Sequence, residues 1–329
     1  MATLGANNLG IADIVRRTGP DGAYVPIAEM LNEINTLSTD CAWFEGELPA
    51  GHMSTVRDAL PTFATLQPNG VGTGSKSTTS QTLESSEVIN SWIDAHDEVI
   101  KYGGNASAAI ASEMPAFVEA AMNTINERII YGNDTSTPGQ LRGLAVRYNA
   151  TSGTNGRNVI LGGGAGSDNM SIWLIEHGQG KFAMWYPKGS KAGLEIEDFG
   201  RVPVTTSSGL AVRYQVLYKQ SFGMALDDWR AAARIANVDS SLLVAGTGAD
   251  LPFRMNQATH CMMRGMSSGR KAFYMNRTGF LYLDDQCRND VQAGGQLGYV
   301  TVAGQEMNAW RGIPINIFDT LTEAEATIS

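Results

Sequence analysis

Hydrophobic spacing along the chain sets a helical opening against a strand-rich remainder. From Pro26 onward, Ile27, Met30, Leu31, Ile34 and Leu37 recur at helical intervals, and proline suits a first turn, so a short amphipathic helix is predicted. Residues 45–86 are poor in large apolar side chains and rich in Ser, Thr and Gly around QPNGVGTGSKSTTSQT. The flanking runs HMSTVRDALPTFATL and TTSQTLESSEV are predicted to pair as the arms of a hairpin with this segment at its tip. A hairpin so long and polar buries no core of its own and must lie against something else.

The clearest helix is predicted over 113–131, with Ser112 as N-cap, Pro115 in the first turn and Gly132 just beyond the end. Phe117, Ala121, Ile125 and Ile129 fall four apart and form one apolar stripe. Strand-like patterns follow in SIWLIEHG, in KFAMWY, and in Val212, Tyr214, Val216 and Tyr218 set against Arg213, Gln215 and Lys219. A second helix is predicted near 252–265, opened by Pro252 and carrying Met255, Ala258, Met262 and Met263. Short strands are expected at GFLYL, GYVTV and IPINIF. Residues 1–25, punctuated by Gly5, Gly10, Gly19, Pro20 and Gly22, read as an extended arm. No internal repeat is present, which excludes solenoids.

Composition narrows the function classes. The 329 residues include 24 Lys and Arg against 33 Asp and Glu, a net charge of −9, with 43% hydrophobic residues and 37 glycines. That describes a folded chain rich in turns, and its acidity argues against a dedicated nucleic-acid binder. Cys41, Cys261 and Cys287 are odd in number and far apart, which suggests neither zinc nor a disulfide framework and points to a reducing compartment. No apolar run reaches the ~20 residues of a membrane span, so a soluble protein is expected.

No segment makes a convincing active site. Gly70 to Ser77, GVGTGSKS, approaches a phosphate-binding loop, but Ser75 replaces the glycine before Lys76, and neither a buried strand before it nor a helix after it is predicted. The glycine-rich 161–167 reads as a turn between strands. His96 lies among Asp94, Asp97 and Glu98, which reads as a solvated acidic face. The serines show no GxSxG setting. No catalytic, cofactor-binding or metal-ligating residue is therefore expected, and the pattern suits a protein that works by shape and association.

In order along the chain, several stretches resemble the major capsid proteins of tailed bacteriophages, the Hong Kong 97 type of fold. They are LPTF with LQPNGVGTGSKSTTSQ; Glu113–Tyr131 with Gly132-Asn133 and Arg142-Gly143-Leu144; YPKGSKAGL at 186–194 with Asp198-Phe199-Gly200; Arg234–Asp239; Tyr274–Arg277; and Gly312–Ile315. The resemblance implies an α+β fold with an N-terminal arm (1–44), an E-loop hairpin (45–86), a peripheral domain with a long spine helix (87–157 and 296–329) and an axial domain (158–295). It implies a subunit-contact tip at Pro68, Asn69, Gly70, Gly72, Gly74, Ser75, Lys76 and Ser77, and a spine helix packed through Phe117, Ala121, Ile125 and Ile129.

The implied function is structural and not enzymatic: self-assembly as pentamers and hexamers into an icosahedral virion shell, put together in a bacterial cytoplasm around double-stranded DNA. Implied partners are other copies of the chain, a separate scaffolding protein, a portal protein and a cement protein, with DNA as a non-specific neighbour and no membrane. Lys76 stands where some relatives carry a cross-linking lysine, but no activating acid or target asparagine is identifiable. An encapsulin-type compartment shares the implied fold and is the alternative; a nucleotide-binding enzyme built on Gly70–Ser77 is a remote one.

Overall fold

The computed structural model describes residues 35–66, 68–102, 106–206, 209–262, 269–289, 297–302 and 305–329. The arm expected over 1–25, the predicted helix from Pro26 to Ile34 and Met263 lie outside them. The strands are β1 (Trp43–Glu45), β2 (Gly51–Ala59), β3 (Thr78–Ser85), β4 (Glu87–His96), β5 (Val159–Leu161), β6 (Asn169–His177), β7 (Phe182–Tyr186), β8 (Glu195–Thr206), β9 (Gly209–Leu226), β10 (Ala232–Asp239), β11 (Arg270–Met275), β12 (Leu297–Val302), β13 (Gln305–Trp310) and β14 (Ile313–Ile317). The helices are α1 (Leu37–Asp40), α2 (Asp97–Tyr102), α3 (Ala106–Tyr131), α4 (Leu144–Arg147), α5 (Ser240–Val244), α6 (Leu251–Cys261) and α7 (Arg277–Asn289).

The chain divides into two compact units. The first takes in the described residues within 87–125 and 190–221, so those of 190–221 group with the spine helix up to Ile125 and not with the rest of 158–295. In this unit β8 and β9 pair antiparallel from Glu195↔Lys219 to Thr206↔Gly209, and β4 lies beside β9. Ile93, Val216 and Tyr218 form its apolar centre, with Ile110, Phe117 and Leu194 packed against them. Phe117 stacks on Tyr218 with ring centroids 5.0 Å apart.

The second unit comprises 34–86, 126–189 and 222–329. Its sheet runs β12-β13-β14-β11-β6-β7, with the end of β9 beyond β7 and with β10 beside β6. All nine residues of β6 are buried, which explains its near-continuous apolar run in place of alternation. Met170, Ile172 and Leu174 of β6 share a core with Ile235 and Val238 of β10, Met255 and Ala258 of α6, and Leu283 of α7. Asp250 caps α6, its carboxylate accepting from the Phe253 N–H at 3.0 Å, so this helix begins beside Pro252 as predicted.

Two expectations are corrected. The spine helix begins at Ala106, not near 113: the Ser112 hydroxyl donates to the Ala109 carbonyl inside the helix, and Pro115 is an interior residue. The alanine-rich turns before Pro115 carry the helix past its one missing donor. GFLYL is helix and not strand, because Asn276 accepts from the Gly279 N–H at 2.7 Å and starts α7. Within α7, Leu283 is fully buried while Leu281 is exposed, a contrast that a short apolar run does not reveal. Gly132 follows the spine helix as expected. What demands glycine there is close packing, since a Cβ would lie 2.5 Å from the Arg128 carbonyl and 2.6 Å from that of Leu141.

Candidate subunit-contact surface

β2 and β3 form a two-stranded hairpin separate from the main sheet, in register from Gly51↔Ser85 to Arg57↔Thr79. The hairpin predicted from the two polar arms is therefore present, though its pairing stops at Ala59. Its base is anchored. Glu84 is buried and receives both terminal nitrogens of Arg147, one at 2.7 Å, a two-pronged geometry that suits a desolvated pair. His52 is buried edge-on to Phe44 at 5.1 Å, with its Nε2 3.7 Å from Asp227. Burial pushes the Asp227 carboxyl up, against the opposing influence of His52.

Away from the base the hairpin loses its support. All of β3 except Glu84 is exposed. Between residues 60 and 77 no strand pairing occurs among the described residues, and Asn69 turns the chain with φ of 71°. The Thr62 N–H donates to Ser75 Oγ at 2.8 Å and ties the two sides together. Pro68, Asn69, Gly70, Gly72, Gly74, Ser75 and Lys76 are exposed and Ser77 is half-buried. At Gly72 and Gly74 neither space nor backbone conformation demands glycine. The segment 70–77 lies between two hairpin strands, whereas a phosphate-binding loop sits between a strand and a helix.

The reading of polar composition missed the apolar content of this tip. Phe63 is 97% exposed and Val71 93%, and Leu60 and Leu66 are also largely exposed. Among the described residues nothing covers these large side chains, which makes the tip a candidate contact surface. LPTF and LQPNGV carried the signal as apolar residues inside a stretch otherwise without them.

The spine-helix stripe divides by depth. Ile125 and Ile129 are fully buried, while Phe117 and Ala121 are half-buried. In the first unit Phe117 and Ala121 line an apolar groove of about 610 Å³, with Ala120, Val88, Leu194 and Tyr218 among its other walls. Nearby, Trp92 and Phe199 stack at 5.7 Å, each a little under half exposed.

The remaining candidates resolve into structure. Asp97 is paired with Lys101 at 2.9 Å and Arg201 at 2.6 Å, and these partners, Lys101 foremost, hold its carboxyl below the usual range. The glycine-rich stretch is the turn from β5 to β6, as expected; a Cβ at Gly164 would lie 2.6 Å from Asn169 Oδ1 and from Asp239 Cβ. Sequence reading did not find one constellation: Cys41 Sγ lies 3.5 Å from His177 Nδ1, and His177 Nε2 lies 2.8 Å from the Tyr274 hydroxyl. That hydroxyl donates to Asp40 at 2.8 Å. Burial pushes the thiol up and the imidazole down to about 4, so neither is primed to react.

A family model described as major capsid protein GP7 matches residues 19–329. The chain belongs to this family of major capsid proteins. Its fold is that of phage capsids. It is similar to a chain of bacteriophage Epsilon15 at 24% identity and a TM-score of 0.80, covering 100% of this chain and 99% of that one. It is also similar to a chain of the bacteriophage JBD30 capsid at 10% identity and a TM-score of 0.50, covering 88% and 91%. Among curated proteins no sequence matches. This capsid protein is thus a structural subunit of a tailed-phage head, located in the virion shell, and its family favours that reading over an encapsulin-type compartment. Among the described residues no helix is long and apolar enough to cross a membrane.

Proposed function

We propose that this capsid protein builds an icosahedral shell of pentamers and hexamers around double-stranded DNA, acting by association and not by catalysis. The observation that carries the mechanism is the hairpin with a pinned base and an exposed apolar tip. In an E-loop role, Pro68–Ser77, with Val71 among them, and the neighbouring Leu60, Phe63 and Leu66 lie on the adjacent subunit, which supplies the missing core. Obligate interfaces commonly bury ~2,000 Å² or more, enough to order such an extension. Head-to-tail contacts of this kind close into rings, and rings into a shell.

The proposed division keeps an arm at 1–44, the E-loop at 45–86, a peripheral domain built on 87–157 and 296–329, and an axial domain at 158–295. The grouping of 190–221 with the spine helix favours moving that stretch to the peripheral side. The proposed partners are further copies of the chain, a scaffolding protein, a portal protein and a cement protein, with assembly in the host cytoplasm. A net charge of −9 suits a wall that neighbours DNA without gripping it. Deleting Gly70–Ser77 tests the mechanism: the subunit should stay folded, and negative-stain microscopy should show particle formation lost or misdirected. Normal particles would end the E-loop assignment.

A further inference from the structure

Two motifs singled out in the sequence, Arg234–Asp239 and Tyr274–Arg277, sit away from the hairpin, and both grip one stretch of chain. Arg277 holds Asp319 with two bonds of 2.8 and 2.7 Å. Asn276 Nδ2 donates to Glu323 at 3.1 Å. Arg234 pairs with Glu325 at 2.7 Å, and the Tyr131 hydroxyl at the end of the spine helix donates to the other oxygen of that carboxylate at 2.6 Å. The Asn237 amide closes a two-way clamp on Ile328, donating to its carbonyl at 2.7 Å and accepting from its N–H at 3.0 Å. Asn237 does so from a left-handed φ of 56° at an irregularity in β10, a strained setting that aims the side chain out of the ladder.

The gripped segment, Asp319–Ser329, has no helix or strand of its own and meets β6 through the isolated bridge Asn169↔Glu325 and through the Ser171 hydroxyl, which donates to the Glu325 carboxylate. Within it only Leu321 and Glu325 are buried, and one of those is a carboxylate. Its receptor is otherwise complete. Arg234 also donates to Ser171 and to the Tyr148 carbonyl, both at 2.9 Å, and lies over the Trp173 ring. Few buried apolar groups and many polar contacts at the surface are the marks of a segment that opens below the global unfolding free energy. Leaving Arg234 without its carboxylate opposes that opening.

We infer that Asp319–Ser329 is a strap that opens and closes as one unit on a receptor preformed in the sheet, and that the subunit joins the shell with the strap closed. The second half rests on the shell reading above; the first does not.

Hydrogen exchange on the unassembled full chain tests the first half. In the wild type, amides of 320–329 should exchange faster than those of β6 and β10. Glu325→Gln and Asn237→Gly, the latter keeping the left-handed backbone free of strain, should speed 320–329 further by roughly tenfold or more while β6 and β10 stay protected. Equal protection in the wild type, joint acceleration of strap and sheet, or no acceleration in either variant would each overturn the strap. Particle counts by microscopy test the second half: fewer particles from both variants are expected, and wild-type numbers would overturn it. A wild type that forms no particles would instead overturn the shell reading, leaving the exchange result intact.

Discussion

His177 should make the subunit sensitive to mild acid. Its ring is buried between Phe182 and Tyr274, with both nitrogens engaged, and burial pushes its pKa from 6.5 down to about 4. The folded chain takes up this proton only near pH 4, whereas the unfolded chain takes it up near 6.5. Stability from this group is therefore complete above pH 6.5, falls as pH drops from 6.5 to 4, and changes no further below that. At about 1.4 kcal/mol per tenfold, the loss comes to roughly 3 kcal/mol. Asp227, raised by burial, acts in the opposite sense, but it is present in wild type and variant alike and cancels in the comparison. The perturbation is His177→Gln, which removes the titration and keeps a side chain able to bond to Tyr274. Urea unfolding of unassembled subunits at pH 7, 6, 5 and 4.5 should show wild-type stability falling more steeply than that of the variant, the gap in slope accounting for most of that 3 kcal/mol. Parallel curves for the two proteins would refute the reasoning.

Two further outcomes follow from burial. Ile129→Ala removes a fully buried side chain on the spine helix and should lower unfolding stability by roughly 2–5 kcal/mol, read as a shift in urea midpoint without a change of slope. Glu84→Ala leaves Arg147 half of a desolvated pair; the hairpin base should lose about 3 kcal/mol of support, and limited proteolysis should cut within 51–85 sooner than elsewhere.

Local elements with a local cause were legible in the residues. The hairpin arms, the end of the spine helix at Tyr131, the start of α6 beside Pro252 and the glycine turn after β5 all follow from spacing, capping and turn chemistry acting over a few residues. Where a local rule had two outcomes, it failed. Pro115 fits a first turn or the interior of a helix already well started, and GFLYL fits a strand or a helix until Asn276 is seen to cap it. The tip of the E-loop hairpin was legible in position and misjudged in character, because its many polar residues masked four large apolar ones.

The order of apolar and polar residues, by its periods of two and near four, determined by itself where the hairpin arms, the end of the spine helix, α6 and several strands lie, and the arrangement of short motifs determined the family. Only the tertiary structure decided which polar groups leave water. Glu325 meets Arg234 across 91 positions of chain, and His177 meets Cys41 across 136. Glu325 has no large apolar neighbour in sequence that announces its burial, and the apolar run before His177 places the residue inside without naming its partners. The cost of desolvating a charge or an imidazole is set by what surrounds it in space, and that exists only once the sheet has closed around it.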